Sequence, residues 1–448
     1  MMYSRLYQFA RKQLLLGHQT IRRSLNELDR TQWLSSSELA AQQFRKLQEL
    51  VNYAYEYVPF YRERYQRERI RPQDIRSYED FRSLPILTRD DVRNHLKELF
   101  SKGFRGEVFE GHTSGSTGRP MPYLMEKATA YWSYAAETRC RAWYEVYPGD
   151  KMARFLLILG NGSGKSWKSQ LGDRLKRYRW LDPRNLNEQT MKAFADVLVK
   201  WRPIMLRVYP SALTIFAKYL QEQGISGINP RLIESTGEKV TPSQRKLFED
   251  VFRAPTVDHY SSLEIYSIAY QCPQGSLHVL EDRYLELLEN GKVVGPGQTG
   301  DVTMTSLNQH AMPFIRYQNG DMGIYESKAC SCGRSMPVLR EISGRKWDVF
   351  VRPDGQPVHW ARVYAIMMHK HEIYQYQMYQ PDRSHLEVSL VCKQNVDPLY
   401  LENLRKEMQP LFGDSAQISM NLVNDLVPAR SGKRLFFISD VKPDSPIG

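Results

Sequence analysis

Cysteine is scarce: five in 448 residues, an odd count that builds no disulfide framework and points to a reducing compartment. No run of about 18 apolar residues occurs, which excludes a membrane-spanning helix. Met1 to Gly17 has basic residues but neither an apolar core nor a small-residue cleavage site, so it does not read as a secretory signal. Internal repeats and low-complexity tracts are missing too. What is present is 42% hydrophobic residues with 12% aromatics, enough for a packed core. The length suits two or three domains at ~150 residues each. Positive charge is in excess by 12, which suits a polyanionic partner: a nucleotide, coenzyme A, nucleic acid or an anionic membrane.

Residues 1–75 read as helical and basic. Tyr3, Leu6, Ala10 and Leu14 fall on one side of a helix, with Arg5, Arg11, Lys12, Arg22 and Arg23 elsewhere around it. Such a face touches either anionic lipid or its own protein, and the second reading is taken. Thr88 is placed to cap a helix. From Arg154 to Val257 short apolar runs alternate with helical periods, the pattern of a largely parallel α/β sheet with its ligand at the carboxyl ends of the strands. Thr241-Pro242-Ser243-Gln244 is a capping box with proline at the first helical position. Beyond residue 348 comes a compact α+β stretch with a hairpin at Pro353-Asp354-Gly355, helices over 361–371 and 398–411, and strands over 386–391 and 435–439. The fold class expected is α/β: a large N-terminal body over 1–347 and a small mobile α+β domain over 348–448.

One stretch has the chemistry of a phosphate cradle. Thr113-Ser114-Gly115-Ser116-Thr117-Gly118-Arg119-Pro120 combines hydroxyls, glycines and a cation. It is not a P-loop, because no lysine follows Gly118, and a solvated turn is the other reading. Gly160 to Ser166 imitates a P-loop but is one residue short. Other polar clusters sit where strands end: Ser235-Thr236-Gly237-Glu238, Asp258 to Glu264, and Arg316 to Asp321, whose carboxylate is placed near a turn, free for hydroxyls or metal. Ser343 to Asp348 and Pro428 to Lys433 follow.

In this order the clusters resemble the adenylate-forming (AMP-binding) superfamily, and within it the phenylacetate–CoA ligase-like branch that includes proteins encoded beside capsular polysaccharide genes. The resemblance runs from about residue 35 to the end of the chain. It implies that Thr113, Ser114, Gly115, Ser116, Thr117 and Gly118 cover the ATP β- and γ-phosphates. Gly237 and Glu238 would lie against adenine and Tyr260 would stack on it. Glu264 would hold Mg²⁺, and Asp321 would bind the ribose hydroxyls. Arg345 would sit near ribose and phosphate, Asp348 would be the hinge, and Lys433 the catalytic lysine. Two departures stand out. Met121 occupies a position where relatives often carry lysine, and Leu263 lacks the hydroxyl expected at the α-phosphate, leaving Ser262 or another donor to substitute.

Cys272-x₅-His278 and Cys330-x-Cys332 offer three thiols and an imidazole, a tetrahedral zinc set of structural kind; chance surface cysteines are the other reading. Cys140 and Cys392 read as core residues. Trp132, Tyr134 and Tyr209 read as acyl-pocket lining or core. The function expected is ATP- and Mg²⁺-dependent adenylation of a carboxylic acid, followed by thioester formation with coenzyme A. Transfer to an amine or hydroxyl in surface-polysaccharide synthesis is the alternative acceptor chemistry. A basic zinc-containing nucleic-acid-binding protein is the alternative class, and it leaves Asp321, Arg345 and Lys433 unexplained. The partners expected are a small carboxylic acid and a nucleotide, with no nucleic acid. The location expected is cytoplasmic, with the basic N-terminus as a candidate contact with the inner membrane face.

Overall fold

The computed structural model describes residues 18–113, 121–156, 167–345, 349–367, 370, 372–392, 396–423, 426 and 436–441. The amphipathic set Tyr3, Leu6, Ala10 and Leu14 lies outside them, as does the P-loop imitation over 160–166. The chain groups into two compact units, one from Met1–Asp150 with Val257–Ser343, the other from Lys151–Thr256 with Gly344–Gly448.

The first unit opens with helices α1 (Gln19–Thr31), α2 (Ser36–Tyr57) and α3 (Pro59–Arg67), so the helical reading of the N-terminal region holds across its described part. Ser35 and Glu38 form a capping box that starts α2, and Pro59 sits at the first turn of α3, where its missing N–H costs nothing. Short helices α4 (Tyr78–Arg82), α5 (Arg89–Asn94) and α6 (Leu96–Leu99) follow, α5 being capped by Thr88 as expected. Strands β1 (Val108–His112) and β2 (Pro122–Glu126) pair antiparallel and lead into α7 (Lys127–Ala142).

The second unit takes over with β3 (Met152–Phe155), α8 (Trp167–Lys176), β4 (Tyr178–Trp180), α9 (Glu188–Trp201), β5 (Met205–Val208), α10 (Pro210–Glu222), β6 (Leu232–Thr236) and α11 (Pro242–Phe252). Its strands run parallel in the order β4-β3-β5-β6, as the alternation of periods predicts. Phe155, Phe194 and Phe216 meet in the core between sheet and helices.

The chain then returns to the first unit with β7 (Thr256–Ser262), β8 (Tyr266–Gln271), β9 (Leu277–Val279), β10 (Arg283–Glu289), β11 (Lys292–Val293), β12 (Thr299–Ser306), β13 (Tyr317–Tyr325) and β14 (Val338–Arg345). They lie in the order β11-β10-β12-β13-β14-β9-β8-β7. The core beneath them takes Leu47, Leu50 and Val51 from α2 and Met121 from the start of the β2 arm. Two buried ion pairs fasten helices to this sheet. Arg139 of α7 pairs with Glu281 at 2.5 Å, and Arg316 pairs with Glu286 at 3.0 Å while also donating to the carbonyls of Arg82 and Leu84. Removing one partner of such a pair costs ~3–5 kcal/mol, because the other charge is left buried alone.

The last segment belongs to the second unit. It contains the hairpin β15 (Val349–Val351) and β16 (Pro357–His359), then α12 (Trp360–Met367), β17 (Ile373–Gln380), β18 (His385–Cys392), α13 (Pro398–Phe412), β19 (Gln417–Leu422) and β20 (Phe437–Ser439). The sequence β18-α13-β19 is a parallel crossover unit, and its helix buries Leu404, Met408 and Phe412 against the sheet. The hairpin at Asp354-Gly355 forms as expected, with Gly355 at φ +84°.

Candidate active site

The phosphate-cradle stretch begins at a pinned neck. Thr113 N–H donates to the Met121 carbonyl at 2.9 Å, and Met121 N–H donates to Thr113 Oγ1 at 3.0 Å. Arg89 Nη2 donates to the same hydroxyl at 3.1 Å. Ser114, Gly115, Ser116, Thr117 and Gly118 lie outside the described residues. Met121 itself is fully buried, its sulfur 3.5 Å from Tyr317 Oη. A lysine here would have to bury its ammonium, so methionine suits this neck.

Glu264 stands in the tight turn between β7 and β8, where Tyr266 takes a left-handed φ of +66° and pairs with Ser262. Its carboxylate is 2% exposed and accepts a hydrogen bond from Tyr317 Oη at 3.0 Å, and its carbonyl accepts from Gln309 Nε2 at 3.2 Å. Ser262 Oγ accepts the N–H of Ile265 at 3.2 Å, which shapes the same turn. Leu263 packs against the core.

Asp321 is read from sequence near a turn with a carboxylate free for hydroxyls or metal; the structure corrects the first point, setting it within a strand, and puts two protein donors on one of its oxygens. The residue lies within β13 just after Gly320, whose φ is +90°. Its Oδ2 accepts from Tyr260 Oη at 2.6 Å and from Asn319 Nδ2 at 2.6 Å. Asn319 Nδ2 also donates to Tyr260 Oη at 2.9 Å, closing a three-membered ring of contacts. Burial first, and then the charge of Asp321, push the Tyr260 phenol well above its ordinary value. Tyr317 is raised by burial and by Glu264, with Asp321 adding to the effect. Both phenols therefore stay protonated, as donors to carboxylates must.

The turn, β13 and the neck thus bring together Glu264, Tyr260, Asp321, Ser262 and Thr113 of the residues read from sequence. Three partners carried no assigned role there: Tyr317, Asn319 and Arg89. Tyr317 and Asn319 stand in the same Arg316-to-Asp321 string, and their alternation with Asp321 along a strand was the available signal.

In the second unit, Gly237 follows β6 at φ +75°. Glu238 accepts from Ser211 N–H and Ser211 Oγ, both at 2.9 Å, which places its charge at the N-terminus of α10, where the helix dipole favours it. Arg345 is the last residue of β14, its side chain outside the described set. Asp348 and Lys433 also lie outside it.

The cysteine–histidine set does converge. Cys272, His278, Cys330 and Cys332 present ligand atoms all within 4.8 Å of one another. Cys272 Sγ and Cys330 Sγ are 3.6 Å apart, too far for a disulfide, and Cys332 Sγ is 3.3 Å from His278 Nε2. Tetrahedral zinc bonds of ~2.0–2.3 Å require donors roughly 3.5–3.8 Å apart, so the set fits that ion with small adjustment. His278 Nδ1 lies 3.2 Å from the Met336 carbonyl, which orients Nε2 toward the thiols, and burial lowers the histidine's pKa. Burial pushes the Cys272 thiol up to about 12 in the absence of a metal. Gly275 and Gly333, at φ +85° and +80°, make the turns that let the two pairs meet. Arg334, beside this cluster, is sandwiched between Trp33 and Trp143 at 4.8 and 4.1 Å and donates to Gln32 Oε1 at 3.1 Å. The knuckle is thereby tied to the α1–α2 connection. Cys140 is fully buried and Cys392 packs against a core, as expected; Trp132 is buried under Arg283.

Residues 350–440 match the family model of the CapK C-terminal domain. The chain is 26% identical over 351 residues to the phenylacetate-coenzyme A ligase of Thermus thermophilus, covering 75% of this chain and 76% of that protein. It is 23% identical over 431 residues to the enzyme of the same name from Pseudomonas putida, covering 89% and 94%. Among solved structures, 2-hydroxyisobutyryl-CoA ligase in the postadenylation state with 2-HIB-AMP superposes with a TM-score of 0.72 at 21% identity, over 90% of this chain and 91% of that one. Anthranilate CoA ligase in complex with anthranoyl-AMP gives 0.55 at 14% identity, over 75% and 67%. This chain is a relative of the phenylacetate-coenzyme A ligases, carries a CapK C-terminal domain, and has the fold of adenylate-forming CoA ligases.

Proposed function

We propose that the protein activates a carboxylic acid with ATP, forming an acyl-adenylate and pyrophosphate, and passes the acyl group to coenzyme A. The observation that carries the reading is the pair of phenol-held carboxylates, Tyr317–Glu264 and Tyr260–Asp321, on β7, β13 and the turn after β7, next to the neck of the Thr113 loop. The curated relatives, named as phenylacetate-coenzyme A ligases, support the class.

In this reading the large body ends at 347 and the small domain begins at 348, in keeping with the domain match that starts at 350. Asp321 takes the ribose hydroxyls, with Asn319 and Tyr260 fixing its Oδ2. Gly237 and Glu238 are assigned to the adenine by motif order alone, as are Arg345 to the phosphate side, Asp348 to the hinge and Lys433 to the reacting carboxylate. The donor at Glu264 suits Mg²⁺, a hard ion that takes one or two carboxylates and keeps its remaining positions for water and phosphate. Bound there, it would screen the charge that a carboxylate must approach. Tyr317 holds Glu264 in place, and the neck at Thr113 sets where the loop over the leaving pyrophosphate begins.

Zinc is assigned to Cys272, His278, Cys330 and Cys332 in a structural role, since four protein ligands leave no open position. A second acceptor reading, transfer to an amine or hydroxyl of a surface polysaccharide, rests on the resemblance to the capsule-associated branch alone. Acid-dependent exchange of pyrophosphate into ATP tests the first step, and hydroxylamine-trapped acyl-adenylate detects it for any acid. Thioester formation on adding coenzyme A separates the two acceptors. No exchange with any acid in a broad panel refutes the reading.

A further inference from the structure

One edge of the second unit carries charge and apolar surface that the ligase reading does not use. The parallel strands β4, β3, β5 and β6 start in register: Met152 is level with Tyr178 and with Met205, and Met205 with Leu232. The residues immediately before three of these strands are Lys151, Arg177 and Arg231. Arg202 precedes β5 at the end of α9, in the left-handed region at φ +51°. Cations therefore line the N-terminal edge of the sheet, the end opposite the one where α/β folds bind their ligands. Lys151, Arg177 and Arg202 are close enough that burial and the two arginines together depress the lysine's pKa. Among the described residues no carboxylate pairs with Lys151, Lys176, Arg177, Lys200 or Arg202. The nearby Asp173 accepts from Trp180 Nε1, and Asp182 is occupied by Arg184.

Apolar surface lies among these cations. Leu175, between Arg174 and Lys176, is 40% exposed, and Val197, one turn before Trp201 on the same face of α9, is 41% exposed. Lys151 and Arg179 stand over the Trp201 ring at 5.9 and 5.5 Å, and Arg154 over Tyr178 and Trp180 at 4.3 and 4.8 Å. Ring faces covered by cations are poor platforms for nucleic-acid bases, which bind by stacking. Cations mixed with exposed aliphatic and amphipathic aromatic side chains are the chemistry of the lipid headgroup boundary.

We propose that this edge docks the protein on an anionic lipid bilayer, phosphate headgroups meeting the exposed Lys176, Lys200 and Arg202 while Val197 and Leu175 reach the acyl boundary. It uses none of the residues of the basic N-terminal segment, and it does not depend on the ligase reading. The test is co-sedimentation of the full chain with phosphatidylcholine vesicles, with and without a third of phosphatidylglycerol. Binding is expected only with the anionic lipid and falls with salt. Lys176→Gln/Lys200→Gln/Arg202→Gln should weaken it by ~5-fold per lost charge, on the order of 100-fold in all. The thermal midpoint of that variant should stay unchanged. Val197→Ser should weaken binding a few-fold and leave the salt dependence as it was. Equal binding to neutral vesicles, undiminished binding by the triple variant, or loss only on replacing Arg22 and Arg23 overturns the proposal. So does retention on a single-stranded oligonucleotide that anionic vesicles fail to displace.

Discussion

Tyr317→Phe removes one oxygen from a fully buried ring and keeps the ring itself, whose edge-on packing with Phe314 at 4.8 Å between centroids remains available. That oxygen donates to Glu264 at 3.0 Å, and Glu264 is itself almost wholly buried, so water has little room to replace the lost donor. A hydrogen bond to a charged acceptor contributes ~1.5–3 kcal/mol. If all of it holds Glu264 in the geometry needed for Mg²⁺ and the phosphates, kcat/KM for adenylation falls by about 10- to 100-fold, at a factor of ten per ~1.4 kcal/mol. The loss should appear as a weaker dependence on Mg²⁺ as well as a lower rate. Pyrophosphate exchange across a Mg²⁺ titration measures both. A double-mutant cycle supplies the control: with Glu264→Gln already present, Tyr317→Phe should cost less than ~0.5 kcal/mol further. A variant within twofold of the wild type, or an equal loss in both backgrounds, refutes the positioning role of Tyr317.

Lys433→Ala should lower adenylation by ~10²–10³ while leaving binding of a preformed acyl-adenylate within a few-fold, by analogy with removing one preorganised electrostatic donor; a loss under tenfold removes its assignment. Elemental analysis should find one zinc per chain, and Cys330→Ser/Cys332→Ser should abolish it; equal metal in both dismisses the site. Burial pushes the Asp282 carboxyl up to about 7, against the opposing pull of Arg283. Because the folded value lies above the ordinary 3.8, the unfolded chain ionises first, and stability from this group falls as pH rises toward 7. Asp282→Asn leaves Arg283 without its partner at every pH, so the difference in thermal midpoint between variant and wild type should move in the variant's favour from pH 5 to pH 8, and a pH-independent difference contradicts this.

The elements legible in the sequence are those whose cause is local. Thr88, Thr241 with Pro242, and the Asp354-Gly355 turn each announce themselves through residues a few positions apart, and each forms as read. The alternation of period between 152 and 257 is local too, and it gives the parallel sheet. What no local pattern reveals is the order β11-β10-β12-β13-β14-β9-β8-β7, in which β9 lies beside β14 some sixty residues away. Long-range antiparallel pairing is decided by which faces can be buried together, and a single strand's alternation leaves that open.

The site divides along the same line. Cys272, His278, Cys330 and Cys332 were legible because their donor chemistry is rare enough in this chain that few other pairings compete. Asp321 was found by its place in a motif, yet its surroundings were misread, because hydrogen bonds from Tyr260 and Asn319 depend on β7 and β13 being brought together. Tyr317 carries no signal as one of 27 tyrosines until its ring is known to be buried beneath a carboxylate. The same logic explains Met121. Viewed as a motif position it is a lost cation; viewed in the fold it is a buried side chain under Tyr317, where an ammonium would have to shed its water and compete with the phenol for Glu264. The charge that relatives place after the loop must then come from elsewhere in this chain. Arg89, already bonded to Thr113 at the neck, is the cation the structure sets beside it, so Arg89→Met should raise the KM for ATP more than it lowers kcat. The opposite split would mean that Arg89 only secures the neck, and that the cationic work falls to residues beyond it.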